Sequence, residues 1–173
     1  MSGTIDGAER PDEATEPAAS GCTFRGLLAG DEVRFVARRE AAVAFAPRGG
    51  LLAPGHTLVI PRAHSIGVLD AAPADLQAAI LLVQEVGAAM VDRLDAGGVV
   101  VLNASGAASG QSVQHLHFHV VPCWPDDGAT FWPADRSTHH IEGSAHDRLT
   151  EQLAPGSNAT AGARGTGLPG EAS

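Results

Sequence analysis

His115-Leu116-His117-Phe118-His119-Val120-Val121 alternates imidazoles with apolar side chains. On a β-strand successive side chains face opposite ways. His115, His117, His119 and Val121 are therefore expected on one side, with Leu116, Phe118 and Val120 on the other, core side. Neighbouring imidazoles would stand about 6.6 Å apart at the usual strand rise. Three titratable rings in a row have no packing rationale, since burial leaves polar atoms to be paired and charging sets the rings against one another. Just upstream, Asn103-Ala104-Ser105-Gly106-Ala107-Ala108-Ser109-Gly110-Gln111-Ser112 is a loop of small residues. Such a loop lets a ligand approach the backbone and leaves N–H groups to hold an anion, while Gln111 and Ser112 add polar side chains. A phosphate bound there would lie against the imidazoles, whose uncharged form is a competent nucleophile near neutral pH.

Two other readings compete. The histidines could be structural, or a His-x-His pair could hold zinc or iron, because both side chains converge on one face. No carboxylate lies near them to complete a ligand set, and the phosphate-suited loop favours nucleophilic chemistry.

The flanking segments predict an α+β domain with a mainly antiparallel sheet. Val33–Val36 and Ala42–Phe45 read as a hairpin pair, Thr57–Ile60 as a third strand, Val99–Leu102 as a fourth and Leu116–Val121 as a fifth. Pro73 suits a first helical turn. Leu76, Ile80, Val83, Gly87, Met90 and Leu94 follow at steps of three and four, one face of a long helix that Gly97-Gly98 ends. Residues 1–20 are acidic and lack apolar periodicity, and 154–173 are mostly small and polar, so both ends read as disordered tails around a domain at 21–153.

The 173 residues suffice for one domain with a real core. All of the 11 basic residues are arginine, so a lysine nucleophile, a Schiff base and a Walker-type phosphate loop are excluded. A net charge of −9 argues against a nucleic-acid surface. The longest apolar run, Ala78–Val83, is too short to span a bilayer, and no basic-then-apolar leader opens the chain. Two cysteines far apart, Cys22 and Cys123, fit a reducing, cytoplasmic setting. His139, His140 and His146 lie in a polar stretch and read as surface residues.

His115 to Val121, with Gly110-Gln111-Ser112-Val113 before it, resembles the signature of the histidine-triad (HIT) family. Cys22-Thr23-Phe24 is similar to that family's opening, and Ala53-Pro54-Gly55-His56-Thr57-Leu58-Val59-Ile60-Pro61 to its central strand, with His64 in a familiar place. The resemblance covers 22 to about 125. It implies a HIT-like fold, a five-stranded sheet with one long helix and a short one, in a homodimer. It also implies hydrolysis or transfer at the α-phosphate of a dinucleoside polyphosphate or nucleoside phosphoramidate, through a nucleotidyl-histidine and without a cofactor. On that pattern His117 is the nucleophile, and His119, Gln111 and Ser112 contact phosphoryl oxygens. His115 and His56 orient the cluster, and Asn103 touches the phosphate. Some members bind zinc through Cys-x-x-Cys and two histidines; Arg25 replaces the second cysteine, so no zinc is expected. Pro47 stands where many relatives hold the ribose with an acid, Cys123 stands where many have arginine, and the loop after Asn103 is one residue longer than in common members. These departures motivate an alternative, a nucleotide-binding sensor with weak or no catalysis.

Overall fold

The computed structural model describes residues 22–29, 33–131 and 135–155. The predicted tails fall outside these, apart from 154 and 155, as do Trp132 and Pro133. The element order is α1 (Thr23–Ala29), β1 (Phe35–Arg38), β2 (Ala42–Phe45), β3 (Thr57–Pro61), α2 (Pro73–Leu94), β4 (Gly98–Leu102), a 3₁₀ turn (Ala107–Ser109), β5 (Phe118–Cys123) and α3 (Ala145–Leu153). The strands form one sheet in the order β1-β2-β3-β5-β4, antiparallel at every pairing. This is the expected α+β sheet with its long helix, though two short helices rather than one accompany it among the described residues. Contacts divide the chain between Phe131 and Trp132, whereas the sequence reading carried one domain through to 153. The second unit contains α3, whose Ser144 side chain accepts the Asp147 N–H.

Two apolar clusters sandwich the sheet. Ala42, Ala44, Val59, Phe118 and Val120 face α2 and pack on Leu82, Val86 and Met90. Val43, Phe45, Leu58 and Ile60 face the other way and pack under Phe24 of α1. Strands β2 and β3 are therefore buried on both faces, and their unbroken apolar runs follow from that.

Three local expectations need correction. The buried stripe of α2 is Ala79, Leu82, Val83, Val86, Gly87 and Met90, whereas Ile80 and Leu94 are 44% and 42% exposed. The apolar content of α2 exceeds one stripe, so spacing alone did not select the face turned to the sheet. Second, Asp95 ends the helix with φ 52°, its N–H bonded to the Met90 carbonyl; a short polar side chain tolerates that left-handed turn, and the two glycines come later. Third, α2 as a whole is long and apolar enough to cross a membrane by length and composition, which the run Ala78–Val83 alone did not show. One face of it is packed on the sheet.

Candidate active site

Strand β5 begins at Phe118, so His115 and His117 precede it and His119 lies within it. The alternation of faces persists through an irregular lead-in, pinned where the Leu116 N–H donates to the Ser65 carbonyl at 2.8 Å. In register, His119 sits between Leu58 of β3 and Leu102 of β4. The histidine face is itself covered, since His115 and His117 are 0% and 5% exposed. Phe24 lies edge-on to both rings, with centroids 5.7 and 5.4 Å away. That apolar lid on the two imidazoles was not legible in the sequence, because α1 reaches them only in three dimensions.

Backbone partners assign the protons. His117 Nδ1 is 2.8 Å from the His115 carbonyl, which only accepts, so Nδ1 carries the proton and Nε2 keeps its lone pair. The Leu52 N–H donates to His56 Nδ1 at 3.2 Å, placing the His56 proton on Nε2. That proton faces His119 Nδ1 at 2.9 Å, so His119 is left with Nε2–H as a donor. The triad therefore offers one lone pair, at His117, beside one donor, at His119, with ring centroids 5.2 Å apart. Burial holds His119 down to about 4, and the neighbouring His117 and His56 add to the effect. Burial also lowers His56, so both members of the relay are neutral near pH 7.

His117 and His119 form the floor of a pocket of about 240 Å³, walled by Leu52, Leu102, Asn103 and the loop from Gly110 to Ser112. It is below the roughly 300–1,000 Å³ of a whole small-molecule site and matches one end of a ligand. A larger hollow of about 590 Å³ lies between α2 and strands β1 to β3 and contains none of the triad rings. Only the smaller of these two pockets is lined by His117 and His119.

Asn103, Gln111 and Ser112 line this pocket, the first two with their amides bonded to backbone groups. Asn103 Nδ2 donates to the His117 carbonyl at 2.8 Å. Gln111 Nε2 donates to the Ile66 and Val113 carbonyls, and its Oε1 accepts the Gly106 N–H at 2.8 Å. Both amides brace the site in this state. Ser112 stands exposed at the rim. The segment Ser65–Asp70, to which sequence reasoning gave no role, meets the triad lead-in and this loop through Ser65, Ile66 and Val68.

His115 faces another way. Its Nε2 donates to the Pro61 carbonyl at 3.0 Å, and Nδ1 is 3.3 Å from Cys22 Sγ. His64 donates from Nε2 to the Gln114 carbonyl at 2.9 Å. Cys22, His64 and His115 place their ligand atoms within 4.8 Å of one another. The donor types suit zinc, but a closed structural site takes four, and Arg25, at the spacing of a second cysteine, has no lone pair to give. Among the described residues no fourth ligand joins these three, so they do not complete that site. The thiol and the imidazole instead tie the start of α1 to the triad lead-in.

Residues 34–125 match the HIT domain family. An uncharacterized HIT-like protein of Saccharolobus solfataricus is 34% identical over 107 residues, 61% of this chain and 76% of the relative. Among solved structures, a Zn-bound histidine triad family protein from Mycobacterium smegmatis shares 28% identity with a TM-score of 0.61, covering 67% of this chain and 85% of that one. A histidine triad nucleotide-binding protein from Candida albicans shares 25% identity with a TM-score of 0.61, covering 77% of this chain and 97% of that one.

Proposed function

The chain belongs to the HIT family, and we propose on that footing that it cleaves a nucleotide substrate at the α-phosphate through a nucleotidyl-histidine. The observation that carries the reading is the pair of nitrogens in the small pocket, a lone pair on His117 Nε2 beside a donor on His119. His117 Nε2 attacks the α-phosphorus, a P–N bond forms, and the bond to the leaving group breaks with its electron pair, the leaving group taking a proton from water. The His119 Nε2–H donates to a phosphoryl oxygen as charge builds on it, and Ser112 at the rim offers a second donor. In the next step a water oxygen attacks phosphorus, the P–N bond breaks, and the nucleoside monophosphate leaves with His117 neutral again.

The substrate class is a dinucleoside polyphosphate or a nucleoside phosphoramidate, without a metal or other cofactor. The working assembly is a homodimer. The sheet ends at β4, an edge strand with Val99 and Val101 36% and 43% exposed, beside Ile80 and Val91 of α2, also exposed. A specific observation favours a second reading, a nucleotide sensor that turns over little: the Asn103 and Gln111 amides, though in the pocket lining, are already engaged with backbone groups. Incubation with diadenosine polyphosphates and an adenosine phosphoramidate, beside the His117→Ala variant, separates the two. AMP released by the unsubstituted chain alone supports hydrolysis. Nucleotide binding without product supports the sensor, and equal turnover by His117→Ala refutes the nucleophile.

A further inference from the structure

We propose that Ser105 is a positioning residue for His117, acting through Asn103; this rests on the hydrolytic reading above. The two ends of an asparagine amide have the same shape, so either can face a given neighbour unless something distinguishes them. The His117 carbonyl needs a donor, because the one proton on the His117 ring is committed elsewhere, to the His115 carbonyl. The correct end of Asn103, Nδ2, lies 2.8 Å from it. The His117 carbonyl, which only accepts, requires that end, and Ser105 reinforces the choice from the other side of the amide. Its Oγ accepts the Val68 N–H at 3.0 Å, which turns the hydroxyl proton toward Asn103 Oδ1 at 2.9 Å. A reversed amide would set its NH₂ group against the one proton the hydroxyl has, and its oxygen against the His117 carbonyl. The series Val68 N–H to Ser105 to Asn103 to the His117 carbonyl thus runs from the loop before α2 to the backbone of the nucleophile, with every donor matched to an acceptor.

A second observation places this contact under a spatial constraint of its own. Gly67 has no positive φ, so its backbone conformation does not call for glycine. A Cβ there would lie 2.6 Å from Ser105 Oγ and 2.8 Å from Ser105 Cβ. Glycine at 67 therefore makes room for the serine. The loop carrying it is held rigid from below, since the Asp70 carboxylate accepts the Ile66 and Gly67 N–H groups at 2.8 and 2.7 Å. With Ser105 removed, the Asn103 amide keeps only its contact to the His117 carbonyl, and the donor to the His117 backbone is less firmly fixed. The effect falls mainly on the chemical step, because Ser105 itself is not among the residues that line the pocket.

The test is a double-substitution cycle, Ser105→Ala and Asn103→Ala singly and together, read by pre-steady-state formation of the nucleotidyl-enzyme from an adenosine phosphoramidate and by side-chain amide NMR. Ser105→Ala is expected to lower the rate of nucleotidyl transfer about fivefold, the scale of one lost hydrogen bond, with KM within about twofold. In the Asn103→Ala background it should change the rate no further, since the intermediary is gone. The Asn103 amide protons, slow to exchange in the unsubstituted chain, should exchange faster in Ser105→Ala. Additive rate losses, or an unchanged rate in Ser105→Ala, overturn the proposal. So do Asn103 amide protons that stay protected in Ser105→Ala, a readout that needs no turnover. Gly67→Ala supplies an independent arm through the same contact and should reproduce the amide change. If the unsubstituted chain transfers nothing, the hydrolytic reading fails and the catalytic role of Ser105 fails with it, while the amide readout still decides the geometry.

Discussion

Replacing His56 by phenylalanine tests the proton relay most directly. The ring is 3% exposed and stacked at 5.1 Å on His119, so a phenyl group of similar shape keeps the packing while removing both nitrogens. Two consequences follow from the geometry. His119 loses the donor to its Nδ1, so nothing holds its proton on Nε2, where it faces the pocket. A neutral hydrogen bond of this kind is worth about 1 kcal/mol, so the ratio of working to idle tautomer should fall roughly fivefold; for two otherwise equal tautomers the working fraction drops from about five sixths to about one half, and kcat/KM by a little under twofold. The second consequence is electrostatic. His119 titrates at about 4 chiefly through burial, with His117 and then His56 adding to the depression. A protonated His119 has no lone pair to accept from His56, so the relay breaks as pH falls through that value. In the unsubstituted chain the His119 relay should therefore stay intact down to about pH 5, and its contribution to kcat/KM should be lost below that. In His56→Phe the smallest contribution is gone, and the acid limb should move upward while staying below 6.5, because burial persists. The assay is kcat/KM for AMP release between pH 4 and 8, with circular dichroism at each pH to exclude unfolding. A variant with the same rate and the same acid limb would refute the relay.

Stability should follow the same group. The His119 pKa is lowered on folding, so the unfolded chain takes up the proton first. Its contribution is whole above pH 6.5 and shrinks as pH falls toward 4, so His119→Gln should show a smaller drop in Tm between pH 7.5 and 4.5, by calorimetry. Phe24→Ala removes the buried ring packed on His115, His117 and Phe45 and should cost about 3 kcal/mol, read as a lower urea midpoint at unchanged slope; a midpoint within error of the parent would mean that α1 is not part of the core. Purified without a histidine tag and dialysed against a chelator, the protein should retain no stoichiometric zinc, and one zinc per chain in elemental analysis would overturn the argument from Arg25. Val101→Arg at the β4 edge should shift the species seen by light scattering from dimer to monomer, and a monomeric parent would remove the assembly.

The alternation of histidines with apolar residues was legible because period two is a local property of the chain. The same holds for Pro73 at the helix start and for the apolar runs of β2 and β3. The face of α2 was not, since Ile80 and Leu94 are as apolar as the residues that were buried, and only the sheet's position separates them. Nor was Ser105, whose neighbours in the sequence are unremarkable and whose partner, Val68, lies in another loop.

Sequence alone determined the order of the five strands and the long helix, the cluster of imidazoles and the family to which they belong; the short helices α1 and α3 it did not place. It could not determine which nitrogen of each imidazole is a lone pair. That assignment depends on a carbonyl or an N–H aimed at one edge of the ring; some of these contacts are local, as between His115 and His117 or Leu52 and His56, and others join positions far apart in the chain. His56 and His119 are 63 residues apart and Cys22 and His115 are 93 apart. Residue types specify what each group can donate or accept, and only the folded backbone, by bringing those edges within about 3 Å of one another, selects which of those possibilities is used.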